Sequence, residues 1–162
     1  METWAHSQDV YDVLGRKRIN GPELFHIAHL GAATFAWSFK IHGQIPPQIS
    51  PRIELTAPSG EIWTWGASDA GERVWGSAED FCLVVTQRRN IRDTALKWQG
   101  PNVANWLSIA QAFAGIPQEP PAPGERVVDF YKKLSGKPGC KFLPLLWAVP
   151  TVKDQVGPWP FI

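Results

Sequence analysis

Apolar side chains recur at helical spacing over residues 2–14, where Trp4, Val10, Val13 and Leu14 are kept for burial and Gly15 stops the run. The basic run Arg16, Lys17, Arg18 follows, and Asn20-Gly21-Pro22 sets a turn with proline near the start of the next helix. Residues 24–41 read as one long helix ending at Gly43. Leu24, Ile27, Leu30, Phe35 and Phe39 are too many for a narrow stripe, so this helix should be buried on more than one side. After the connector GQIPPQISP the period changes. Residues 52–57 alternate polar with apolar, and beyond Pro58-Ser59-Gly60 the alternation resumes over 61–65, which predicts a β-hairpin. A third strand is expected at Arg73-Val74-Trp75, and a helix starting near Ser77 in SAEDFCLVVTQRRN. DTALKWQG should supply a short last strand, and PNVANWLSIAQAFAG is a proline-started, glycine-stopped helix. Strands and helices mix without strict βαβ alternation. The expected class is α+β, with a small antiparallel sheet packed with helices.

From residue 116 the pattern breaks down. PQEPPAPGE has the composition of a linker, and beyond it proline interrupts aromatic and apolar positions too often for a regular element. The expected organisation is therefore a helix over 1–15, an α+β domain over 22–115 and a Pro-rich irregular tail over 116–162. With 162 residues and 44% apolar content, one domain with a real core is affordable and a wholly disordered chain is excluded. A net charge of +1 gives no bulk electrostatic reason to expect nucleic acid or an anionic membrane as partner. Cys82 and Cys140 make no disulfide framework, and no leader pattern or membrane-length apolar run is visible, so a cytoplasmic location is expected. Nine tryptophans, spread from Trp4 to Trp159, suit core and pocket lining better than one stacking platform.

Candidate chemistry begins at Glu2 and His6. Four residues apart on a helix, they stand roughly 40° apart around its axis and could reach one divalent ion, although zinc ordinarily requires at least three protein ligands. Asp9 is placed to hold the imidazole. His26 and His29 form an H-x-x-H pair among Ile27, Ala28 and Leu30, where a packing or hydrogen-bonding role is preferred to a metal role. His42, before Gly43, complements a helix end. Arg88 and Arg89 close the helix that begins near Ser77, and Cys82, between Phe81 and Leu83, reads as a buried thiol.

The stretches METWAHSQDV, IAHLGAATFAW, RIELTAPSGEIWTWG, DFCLVVTQRRNIRDTAL and WLSIAQAFAG together resemble an uncharacterised metal-binding family related to mycothiol-dependent maleylpyruvate isomerase. The likeness covers roughly residues 1–115. It implies a DinB-like four-helix bundle followed by a smaller α+β domain, with ETWAH matching the family's E-x-x-x-H near the end of the last bundle helix. Glu2 and His6 are then implied as metal ligands, with a third histidine on an earlier helix that has no counterpart here. Residues 1–15 would be the remnant of that bundle. The resemblance also implies Arg88 as the arginine that holds an acidic substrate, with Gln87 standing where relatives have glycine. The implied cofactors are a divalent metal, zinc first, and mycothiol, and the implied partners are a small-molecule thiol and an acidic substrate.

Two other readings stand beside that enzyme. One is a non-catalytic ligand-binding or interaction module with an apolar pocket lined by Trp63, Trp65 and Phe81. The other follows from similar chains that carry a domain named for wybutosine formation in tRNA, for which the basic RRNIR cluster and nearby Trp98 are the candidates. In every reading the apolar face of residues 1–14 needs cover. It should pack on the domain or drive self-association through the N-terminal helix.

Overall fold

The computed structural model describes residues 1–126. It is an α+β fold of five helices and a four-stranded sheet among the described residues. Helix α1 spans Glu2–Leu14, α2 Leu24–Ala33, α3 Phe35–Ile41, α4 Ala78–Val85 and α5 Pro101–Ile109. The strands are β1 Arg52–Thr56, β2 Ile62–Trp65, β3 Arg73–Ser77 and β4 Lys97–Gln99, in spatial order β2-β1-β3-β4.

The hairpin forms as its alternation predicts, with Ile53 opposite Trp65 and Leu55 opposite Trp63. The sheet is mixed, however, and the expectation of an antiparallel sheet is corrected: β1 and β3 run parallel, Arg52 beside Arg73 and Leu55 beside Gly76. Residues 66–72 cause this. They carry the chain from the end of β2 past the start of β1, so that β3 enters beside Arg52 and runs the same way, with the Arg52 N–H donating to the Glu72 carbonyl at 2.9 Å. The crossing depends on Gly66, whose φ of +78° and contact with the Pro51 carbonyl leave no room for a Cβ.

The helix expected over 24–41 is kinked into α2 and α3. At Thr34 (φ −90°, ψ 13°) the hydroxyl donates to the carbonyls of Leu30 and Gly31, competing with the regular ladder. Within α2, Gly31 lets the backbone press on α4, because a Cβ there would lie 2.8 Å from Val85 and 2.9 Å from Phe81. Helix α4 starts as expected, the Ser77 hydroxyl accepting from the Asp80 N–H at 3.0 Å. It stops at Val85 because Gln87 is left-handed (φ 56°) and the Arg88 N–H turns back to the Leu83 carbonyl at 2.7 Å. Helix α5 ends well before Gly115. The chain there straightens to bring the Ala112 N–H to the Val85 carbonyl and the Gln111 N–H to the Ser38 hydroxyl.

The helices α2, α4 and α5 cover one face of the sheet. Trp106 is fully buried between Phe35 and Phe81, edge-on to each at centroid distances of 5.0 and 5.8 Å. Ile53, Leu55 and Val74 close the core from the sheet side.

Helix α1 docks on this body mainly by polar contacts. Trp4 and Ala5 are buried, whereas Val10, Val13 and Leu14 remain exposed. Arg89 donates to both oxygens of Asp12 at 2.6 Å, and Arg18 donates to the Trp4 carbonyl while lying 5.0 Å over the Trp4 ring. Residues 110–126 form no helix or strand, in keeping with the composition of 116–126, yet they are strapped to the domain. Gln87 Nε2 donates to the carbonyls of Ala110 (3.2 Å) and Gln118 (2.8 Å), Asn90 donates to Pro121, and Asp93 accepts from the Gly124 N–H. The expected irregular tail over 127–162 lies outside the described residues.

Candidate functional site

On α1 the predicted pair does share one face. His6 Nε2 stands 3.5 Å from a Glu2 carboxylate oxygen, and both side chains are about 70% exposed. Asp9 approaches the other edge of the ring, 3.7 Å from Nδ1. The two carboxylates therefore flank opposite nitrogens of one imidazole instead of converging on a common point. Among the described residues, no group of three or more His, Cys, Asp or Glu side chains is arranged to hold a metal ion.

Arg88 sits beneath this face and braces it. Its Nε lies 2.9 Å from Asp9 and donates to the Ala5 carbonyl at 3.1 Å, while Nη1 donates to the carbonyl of Thr86. Arg126 reaches the same Asp9 oxygen at 2.7 Å. The guanidinium that the resemblance assigns to an acidic substrate is thus occupied by an internal carboxylate. Neighbouring Arg89 has its pKa raised further, first by the hydrogen bond to Asp12.

The remaining sequence candidates are structural in placement. His29 stacks on Phe25, and its Nδ1 accepts from Trp65 Nε1 at 3.1 Å; His26 meets Phe25 edge-on. His42 Nδ1 lies 2.8 Å from the Ser38 carbonyl at the end of α3. Cys82 is fully buried, 3.6 Å from the Leu24 carbonyl, and burial pushes its thiol pKa far up, with Glu79 adding to the shift. A pocket shared by Trp63, Trp65 and Phe81 is not formed: Phe81 faces Trp106 in the core, while the two tryptophans pack on Phe25 beside the β2 edge. A cavity of about 400 Å³ opens elsewhere, between Phe35, Ile49, Glu72 and Val103. The Glu72 carboxylate is spent there on the first turn of α5, accepting from the Val103 N–H and the Asn102 amide.

The face of the sheet away from the helices carries what the sequence reading missed. Ile53, Leu55 and Val74 point to the core, so alternation sends Arg52, Glu54, Arg73 and Trp75 to the open side. Register then sets Arg52 directly beside Arg73, and Trp75 between Glu54 on one side and Lys97 on the other. The Arg73 guanidinium lies 4.7 Å over the Trp75 ring. Arg52 contacts Glu54 at 3.4 Å and donates to the Gly66 carbonyl. Among the described residues neither Arg73 nor Lys97 pairs with a carboxylate. Each strand displays this alternation in sequence, but only the register of three strands brings the charges together.

Residues 49–97 match the family described as wyosine base formation. That segment runs from just before β1, through β2, β3 and α4, to the first residue of β4. The chain is also similar to an uncharacterised protein of Mycobacterium tuberculosis, found in strains H37Rv and CDC 1551. Identity is 50% over 117 residues, covering 72% of this chain and 46% of the relative. The chain thus spans about half the length of the curated relatives it matches. No solved structure matches the chain.

Proposed function

We propose that the α+β domain is a wyosine-base-formation-type module and that its ligand is tRNA. The observation carrying this reading is the coincidence of the family match with the sheet: 49–97 takes in the strands that build the open face and the helix that anchors them. Charge on that face is locally favourable although the chain as a whole is near neutral, at +1. The test is an equilibrium binding measurement with unmodified tRNA and with a DNA duplex of similar length. Saturable binding of tRNA in preference to the duplex supports the reading, and absence of tRNA binding at low salt removes it.

A second reading keeps the metal ligands that the sequence resemblance implies. Glu2 and His6, adjacent on an exposed helix face, suit two ligands of a divalent-metal site that acts with a small thiol such as mycothiol and an acidic substrate. The further ligand would have to come from sequence that the relatives possess and this chain does not match. Here His6 would bind the ion as neutral imidazole, and Arg88 would have to exchange Asp9 for the substrate carboxylate. Zinc titration tests this reading: weak binding by this chain that is lost in His6→Ala is the expected result, and no zinc binding removes it.

A further inference from the structure

We propose that the open face of the sheet binds a single-stranded segment of RNA, with one base stacked on the Arg73–Trp75 pair and the adjoining phosphates held by Arg52, Arg73 and Lys97. This inference rests on the tRNA reading above and assigns it a surface.

Two independent features of the face point to an anionic, flat ligand. The first is the Arg52–Arg73 pair. Like charges directly opposite on neighbouring strands repel, and nothing in folding requires them side by side on a solvated surface. Glu54 offsets Arg52 alone, at 3.4 Å, which leaves Arg73 and Lys97 as uncompensated cations among the described residues. A phosphodiester chain crossing the strands would relieve the repulsion it meets there. The second feature is Trp75. On an open face a large ring has little to pack against, and here it lies partly exposed between Glu54 and Lys97 with Arg73 over it at 4.7 Å. An indole and a guanidinium plane on a β-sheet are the groups on which unstacked bases lie, and a base in a duplex could not reach them. Single strands are therefore the expected form, and loops of a folded RNA meet the same requirement.

The experiment uses the full chain, intact tRNA and a short single-stranded RNA, with binding followed by anisotropy of labelled RNA. Trp75→Ala should weaken both RNAs by on the order of ten-fold or more, and Trp75→Phe should restore most of the loss. Arg73→Ala and Lys97→Ala should each weaken binding and lower the slope against log salt by about 0.7, the share of one phosphate contact on a single strand. Lys40→Ala, a cation on α3 away from this face, should bind as the parent does. Thermal melts of all variants identify any that fail to fold, and Arg73→Ala and Lys97→Ala, both at exposed positions, keep the test open if Trp75→Ala does not. If the parent binds tRNA and the Trp75, Arg73 and Lys97 variants bind equally well, this surface is wrong while the tRNA reading stands. If the parent binds neither RNA, both fail.

Discussion

Gln87 shows how one residue can be read correctly for position and missed for purpose. The end of α4 calls for a left-handed residue, and the resemblance points to glycine there. The structure puts glutamine at φ 56° because its side-chain amide strings Ala110 and Gln118 onto the helix end. A left-handed non-glycine costs about 1–2 kcal/mol, and each hydrogen bond returns about 0.5–1.5 kcal/mol. Gln87→Ala keeps the strain and loses the bonds, so it should destabilise by about 1–3 kcal/mol in denaturant unfolding. Gln87→Gly loses the bonds but relieves the strain, and should be about 1 kcal/mol more stable than the alanine variant. An alanine variant at least as stable as the glycine one would contradict this. Cys82 makes a simpler case. Its apolar neighbours announce a buried thiol, and with the pKa raised by burial it should resist alkylation, mapped by mass spectrometry, until the protein unfolds.

At the scale of elements, the parts fixed by local period were legible and the parts fixed by distant partners were not. The hairpin follows from alternation around Pro58-Ser59-Gly60, and α4 from its cap at Ser77. The parallel pairing of β1 with β3 depends on how residues 66–72 cross, which no period encodes. The same applies to Arg88. Its position at a helix end was visible, but its engagement by Asp9 requires knowing where α1 docks. Asp12 is the test of that docking. Asp12→Asn removes the charge from a bidentate pair in which both side chains are less than one-fifth exposed. It should weaken α1 attachment by about 1.5–3 kcal/mol, the range for hydrogen bonds to charged groups. Hydrogen exchange over residues 2–14 should rise while exchange in α4 and the central strands stays slow. Uniform loss of protection would show instead that α1 and the sheet unfold as one unit. Because the Arg89 pKa is raised from an already high value, its part of this stability is fully present below the unfolded pKa and lost only at strongly alkaline pH.

For the molecule as a whole, the exposed apolar face of α1 and the open sheet face make different demands. Val10, Val13 and Leu14, within little more than one turn of α1, are 57%, 72% and 58% exposed. Self-association through this face is expected, and Val13→Lys should lower the sedimentation-average mass at high concentration without altering RNA binding. An unchanged mass would leave the face uncovered in solution. The metal reading makes its own demand: with Glu2 and His6 as its ligands and no third arranged beside them among the described residues, zinc should bind weakly and His6→Ala should leave the thermal midpoint unchanged. Tight zinc binding lost in His26→Ala or His29→Ala would move the site to α2.

RNA recognition by the sheet domain through a small set of cations is tested most directly by the salt dependence of tRNA binding. Three phosphate contacts, from Arg52, Arg73 and Lys97, predict that the logarithm of the association constant falls against the logarithm of salt concentration with a slope of about −2, given roughly 0.7 counterions released per contact on single strands. Saturable binding with that slope is the expected result. Absence of tRNA binding at low salt would contradict the account.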